Sequence, residues 1–252
     1  MPTIHCRNVK FTGVKAVVFD KDGTLANSEL FLKQLGQQRS LFIGQQVPAI
    51  QPSLLMAFGL HKDTLDPSGL LAVGSRRENE IAAAAYIAET GQPWLTALAI
   101  AQNAFQAADC TLPCKAEQTP PFTGLMGLLD RLQAVGIKIG ILSSDTTKHV
   151  LDFVKFYQLE SYVAAYLGGD GPIAKPDPRL LHQICESLQA RPEETVMIGD
   201  ALVDIEMSKA AGAMGCIGVT WGWAMMPVLT GADAIATTID EIQVWPTSSP
   251  QF

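Results

Sequence analysis

No stretch of the 252 residues approaches the roughly 18 consecutive apolar positions of a membrane-spanning helix. The opening segment MPTIHCRNVKFTGVK also lacks the unbroken apolar stretch of a secretory signal. A cytoplasmic protein with no membrane partner is therefore expected. Positive charge is scarce: 18 Lys and Arg stand against 25 Asp and Glu, leaving a net charge of −7 and a pI near 5.1. A nucleic-acid face needs the opposite excess to neutralise backbone phosphates, so no nucleic acid is expected as a partner. A local cationic spot for one small phosphate is compatible with that balance. Cysteine is sparse and odd in number (Cys6, Cys110, Cys114, Cys185, Cys216), with no CxxC pair and no histidines at zinc-ligand spacing. Free thiols in a reducing compartment follow. There is no internal repeat and no low-complexity tract.

What is abundant is apolar material, 48% of residues, with only 17% charged and both signs mixed along the chain. That composition opposes disorder and suffices for one large domain, or a main domain with a smaller partner. Lys15–Asp20 (KAVVFD) is a β-favouring apolar run that stops abruptly at KDGT, which reads as a buried strand and a loop. Lys138–Leu142, Thr195–Ile198 and Gly215–Val219 read likewise. Helical patterns lie between and after them, at Leu125–Ala134, Thr147–Tyr157, Pro178–Leu188 and Val203–Ala211. Pro178 suits a first helical turn, and Gly136 and Gly212 suit helix ends. Continuous apolar strands alternating with helices predict a parallel sheet covered on both faces, with ligands beyond the carboxyl ends of its strands.

Residues 28–114 break the alternation. Helical patterns over Ser28–Gly44, Arg76–Thr90 and Pro93–Ala108, with a short hairpin around Ser68–Gly74, predict a mostly helical insertion after the first strand. Thr111–Thr123 reads as the return linker.

Four polar clusters follow the strands or open helices. Asp20-Lys21-Asp22-Gly23-Thr24 puts two carboxylates at a strand end, with Gly23 permitting a sharp turn. Gly199-Asp200 to Asp204 puts two more in a loop and one helical turn on. Ser143-Ser144-Asp145 follows a strand, and Lys175-Pro176-Asp177-Pro178 precedes a helix. Taken singly, these have bland readings as a turn, a dipole-favoured helix start, a helix cap and a solvated lysine. Taken together, on one parallel sheet, they converge on a single edge. Carboxylates with loop oxygens suit a hard cation, while a hydroxyl, free N–H groups and a lysine suit a phosphate.

The order DKDGTL, ILSSD, KPDP, IGDALVD resembles the haloacid-dehalogenase superfamily. Within it, the match is closest to phosphatases with a helical cap between the first two motifs, the group that includes phosphoglycolate phosphatases. The resemblance covers about Val14 to Ile242; in the cap it extends to position and helical character, not to a motif. It implies an α/β, Rossmann-like core built from residues 1–27 and 115–252, with a cap from 28–114. It further implies a Mg²⁺-dependent hydrolase of phosphate monoesters of small metabolites. Asp20 would be the nucleophile and form an aspartyl-phosphate. Asp22 would protonate the leaving oxygen and then take a proton from water. Two unit charges about 4 Å apart repel by roughly 4 kcal/mol at an effective dielectric near 20, so an anion attacking a phosphate needs a cation. The resemblance assigns Mg²⁺ to Asp20, Asp22 through its backbone carbonyl, Asp200 and Asp204, with Mn²⁺ as a workable substitute. Asp204 would hold a metal-bound water or orient Lys175. Ser143 and Lys175 would serve the phosphoryl group, with Gly23, Thr24 and Ser144 also around the phosphate. The aspartate at 22 and the threonine at 24 favour phosphatases over dehalogenases and many sugar phosphomutases. A phosphomutase, or a non-catalytic module that binds a phosphorylated ligand, is the competing reading.

Four sets of residues stay outside this scheme. Ser75-Arg76-Arg77 is expected to be a solvated helix start, with a substrate-anion contact as the alternative. Trp221 and Trp223 are expected to pack in the core or at its rim. The four histidines carry no assignment, and Thr3–Val9 is either a further strand or a surface segment.

Overall fold

The structure is a computed structural model that describes residues 1–62 and 64–246. A hairpin of β1 (Thr3–Cys6) and β2 (Val9–Thr12) precedes β3 (Ala16–Phe19). Then come α1 (Glu29–Gln46), α2 (Gln51–Ala57), β4 (Leu60–His61), β5 (Thr64–Leu65), α3 (Leu70–Val73), α4 (Arg76–Glu89) and α5 (Trp94–Thr111). A single turn, α6 (Lys115–Gln118), leads to α7 (Leu125–Ala134), β6 (Lys138–Leu142), α8 (Thr147–Phe156) and β7 (Val163–Leu167). The remaining elements are α9 (Pro178–Ser187), β8 (Thr195–Gly199), α10 (Leu202–Ala210), β9 (Gly215–Val219), β10 (Ala234–Ala236) and β11 (Ile242–Trp245).

Six strands form one parallel sheet in the order β10-β9-β8-β3-β6-β7. Its apolar runs split by the two-residue period of a strand. Val17, Phe19, Ile139, Ile141, Val196 and Ile198 join one cluster, with the apolar faces of α7 and α8. Ala16, Val18, Leu142, Met197 and Cys216 join the other, with α9 and α10. Both faces are thus dry, which is why the runs are continuous rather than alternating in hydrophobicity. Val17, Val18 and Phe19 are all buried, each worth about 1.5–3 kcal/mol on leaving water. Helix ends obey local chemistry as expected: Pro178 occupies the first turn of α9, and Gly136 and Gly212 follow their helices at positive φ.

Thr3–Val9 proves to hold a strand. β1 sits between β2 and β11 in a small antiparallel sheet that delivers Ile4, Cys6, Phe11 and Ile242 to the core cluster of Val17. The helices of residues 29–111 build an apolar cluster of their own around Leu54, Phe58, Ile87 and Phe105, and Trp223 joins it from the loop after β9. Three expectations need correction. The hairpin expected at Ser68–Gly74 is instead the helical turn α3, and a two-plus-two-residue hairpin lies earlier, at β4 and β5. Glycines at both ends of LLAV left its period unreadable; the Asn79 amide, bonded to the Leu70 carbonyl, secures it as a turn. Strands β7 and β10 escaped notice because both are short edge strands with exposed positions. The return linker carries α6, which turns out to matter.

One backbone crossing fixes the loop after β3. Gly23 has φ +85°, and a Cβ at Gly222 would stand 2.0 Å from the Gly23 carbonyl oxygen. A side chain at Gly222 would thus strike the Gly23 backbone, and one at Gly23 would strike Asp200 and the Trp223 ring. Gly222→Ala is expected to destabilise the protein by about 1–3 kcal/mol. That is a drop of roughly 2–10 °C in melting temperature for a chain of this size. An unchanged thermal melt would show that the loops separate freely.

Candidate active site

The catalytic-edge prediction can be tested residue by residue. Asp20 follows β3, and its N–H extends the ladder to the Ile198 carbonyl at 2.8 Å. Ser143 follows β6, Asp200 follows β8, and Lys175 comes from the segment before α9. Asp20, Asp22, Ser143, Ser144, Lys175, Asp200 and Asp204 all line one small pocket of about 60 Å³. Gly23 and Thr24 do not line it. The Gly23 N–H is bonded to the Ala26 carbonyl at 2.9 Å, and the Thr24 hydroxyl donates to Asp200 Oδ1 at 2.6 Å. In this structure Gly23 shapes the loop and Thr24 holds Asp200.

Lys175 bridges two carboxylates, donating to Asp20 Oδ1 at 2.6 Å and Asp204 Oδ1 at 2.7 Å. Asp204 meets two partners. It anchors Lys175, and its other oxygen accepts the Ala201 N–H at 3.3 Å, closing the first turn of α10. Oxygens of Asp20, Asp200 and Asp204 all lie within 4.8 Å of one another. Burial pushes Asp20 up to about 6, with Lys175 opposing and Asp204 adding to the rise. Burial, with Asp20 and Asp204, lifts Asp200 well above the usual carboxylate range.

A second charge cluster adjoins the first. Asp22 accepts from Lys21 at 2.7 Å and from Lys115 at 2.8 Å. Asp145 accepts from Lys115 at 2.7 Å and from His149 Nδ1 at 2.7 Å, and pairs with Lys21 at 3.1 Å. Burial would raise both acids, but Lys115 and Lys21 hold Asp22 below the usual range and Asp145 well below it. Asp22 is thus held ionised.

Five buried carboxylates against three buried lysines leave two negative charges uncompensated at this edge. Three of those acids present clustered oxygens. A hard divalent cation fits both the donor set and the deficit.

Sequence reasoning missed several residues here. Lys21 was passed over inside its own motif, and Lys115 sits in what reads as a linker. Trp223 packs as expected, yet its indole N–H also donates to Asp200 Oδ2 at 2.6 Å, so packing alone understates it. Trp221 donates to the Thr24 carbonyl at 3.0 Å. Ser75 caps α4 in a reciprocal pair with Glu78, and Arg77 is exposed, as expected of a helix start. Arg76, however, lines the pocket and is bonded to Glu80 and Asp109.

Among the described residues no helix is long and apolar enough to cross a membrane. The chain is 28% identical to a phosphoglycolate phosphatase of Yersinia pestis over 218 residues, 85% of this chain and 84% of that one. It is 33% identical to a phosphoglycolate phosphatase of Psychrobacter arcticus over 96 residues, 38% of this chain and 41% of that protein. A predicted phosphoglycolate phosphatase from Haemophilus somnus shares the fold, with a TM-score of 0.64 at 20% identity over 89% of this chain and 94% of that one. The family model for haloacid dehalogenase-like hydrolases matches residues 14–212. With that match spanning most of the chain, and with its motifs gathered at one sheet edge, the protein belongs to the haloacid dehalogenase-like hydrolases.

Proposed function

We propose that the protein is a Mg²⁺-dependent phosphatase that cleaves phosphate monoesters of small metabolites through an aspartyl-phosphate on Asp20. The observation that carries this reading is the Asp20 carboxylate at the end of β3, 2.6 Å from Lys175 and clustered with Asp200 and Asp204. Asp20, Asp200 and Asp204, with the Asp22 backbone carbonyl, would hold the ion, whose positive charge offsets repulsion between carboxylate and phosphate.

A carboxylate oxygen of Asp20 bonds to phosphorus as the ester P–O bond breaks, and the leaving oxygen takes a proton from Asp22. Water then attacks the acyl-phosphate while Asp22 removes its proton, releasing phosphate and restoring Asp20. Lys175 keeps Asp20 oriented and lowers the charge at the reacting centre. Ser143 offers its hydroxyl to a phosphoryl oxygen, with Ser144 beside it. Asp22 rests as a base tied to two lysines, so the first half of the cycle needs its contact with Lys115 to open. The names of the relatives make 2-phosphoglycolate the first ester to test.

Phosphate release from a panel of metabolite phosphates, with and without Mg²⁺, decides the reading. Wild type should turn over at least one ester only with metal, and Asp20→Asn should abolish turnover. Formation of an isomer without free phosphate would replace this reading with a phosphomutase.

Asp22→Asn should lower kcat on alkyl phosphates by about 10²–10⁴-fold, the usual worth of a general acid–base group. The loss should be much smaller for formation of the acyl-phosphate from p-nitrophenyl phosphate, whose leaving group departs without a proton. Equal losses in single-turnover bursts on both esters would remove Asp22 from the acid role.

Asp20 binds protons more tightly folded (about 6) than unfolded (3.8), so its contribution to stability falls as pH rises through that window. Protons and a dication compete for the same oxygens. The rise in melting temperature on adding Mg²⁺ should therefore be larger at pH 7.5 than at pH 5. A rise independent of pH would place the ion elsewhere.

A further inference from the structure

A larger cavity of about 400 Å³ adjoins the catalytic pocket. The two share Leu35, Arg39, Arg76, Lys115 and Asp145 as a common wall. Arg39, on α1, is the anomaly in that wall. It is only 6% exposed, and its guanidinium lies over the Phe105 ring, 4.1 Å from the centroid. Its buried Nε has no hydrogen-bond partner among the described residues. The Asp109 carboxylate stands 3.9 Å from Nη2, beyond hydrogen-bond reach. Arg76 beside it bonds Glu80 through Nε at 2.8 Å and Asp109 through Nη1. Burial, with Arg76 adding, pulls Arg39 down to about 10 against the attraction of Asp109, so its charge is held but poorly compensated.

A buried arginine that lines a cavity while its Nε goes unbonded is a costly arrangement for a fold that gains nothing from it. The guanidinium fork matches a carboxylate or phosphate oxygen pair. Arg39 and Arg76 face two acids, Glu80 and Asp109, so the four charges cancel and no surplus positive charge stands here. Such a balance admits a singly charged carboxylate at less cost than a second phosphate, which carries close to two charges. Because the wall is shared with the Asp20 pocket, an anion at Arg39 belongs on the leaving-group side of an ester whose phosphate faces Asp20.

We propose that Arg39 is a specificity residue that binds a carboxylate on the leaving group, so that the favoured esters are phosphorylated hydroxy acids. The assignment rests on the phosphatase reading for its kinetics, but not for its binding. Neither the four core motifs nor the resemblance points to position 39. The stacking on Phe105 pre-positions the guanidinium, so little side-chain freedom remains to be lost when the acid arrives.

The test compares 2-phosphoglycolate with ethyl phosphate, which replaces the carboxylate by a methyl group, using the Mg²⁺-loaded protein. Wild type should favour the acid in kcat/KM. Arg39→Met should lower that preference about 10- to 100-fold, the usual worth of a charge-assisted hydrogen-bonded contact. Arg39→Lys, which keeps the charge without the fork, should fall between them. A preference unchanged in both variants overturns the assignment, as does a wild type with no preference. Calorimetric binding of 3-phosphonopropionate against propylphosphonate supplies a readout without turnover. Tighter binding of the acid by wild type, lost in Arg39→Met, upholds the subsite even if neither ester is hydrolysed, in which case only the phosphatase reading fails. Equal binding of the two phosphonates by wild type overturns the subsite. Should Arg39→Met fail to fold, as judged by near-UV circular dichroism, the wild-type pair and Arg39→Lys decide the outcome.

Discussion

Carboxylates cannot be crowded into a dry edge unless something answers their charge, and that requirement organises this molecule. Each acid at the carboxyl end of the sheet is given a partner of a particular kind. Asp22 and Asp145 share Lys21 and Lys115; Asp20 and Asp204 share Lys175; Asp200 is held only by neutral donors, Thr24 and Trp223. The acids thus grade from fully compensated to uncompensated, and the proposed chemistry draws on that gradient. Where each acid has a lysine, the carboxylate stays ionised. Where the lysines run out, the remaining oxygens are poised for a dication. Neighbouring aspartates of identical intrinsic acidity are thereby given different tasks by what surrounds them.

The sheet is what makes that crowding achievable. Parallel strands end together, so loops far apart in sequence meet without any need for long side chains. The strands that carry the acids were readable in the sequence because burial on both faces forces continuous apolar runs, with sharp polar stops after Phe19, Leu142 and Ile198. Helices α7 to α10 were equally readable from their amphipathic spacing and from proline and glycine at their ends.

What stayed hidden has a common cause. Lys115, Trp223 and Arg39 act through tertiary placement, not through any pattern local to their segments. Lys115 lies on a single turn in a segment rich in proline and polar residues, and nothing in TLPCKAEQ announces that its ammonium meets Asp22 from a distance of 93 positions. Trp223 looks like packing because it is packing: its ring belongs to the helical cluster, and only the indole N–H reaches across to Asp200. Arg39 sits on a helix whose apolar and polar positions barely separate, so a buried charge there has no signature. The misplaced hairpin and the missed edge strands reflect a different limit. Strands β4 and β5 hold two residues each, and β7 and β10 carry exposed positions that break the continuous apolar run by which the central strands are read.

The topology has a consequence for how the protein is made. Central strand β3 pairs only with β6 and β8, so Val17 waits for Ile139 on one side and Val196 on the other. During synthesis the apolar strand and the Asp20 that follows it leave the ribosome long before either neighbour exists. Such distant pairings are slow to form and leave strand edges open to wrong partners. The helices of residues 29–111 need no such wait, because their contacts are mostly with one another. They can gather while the rest of the chain is still emerging, leaving the reactive edge to be assembled last, once β8 has been delivered beside β3.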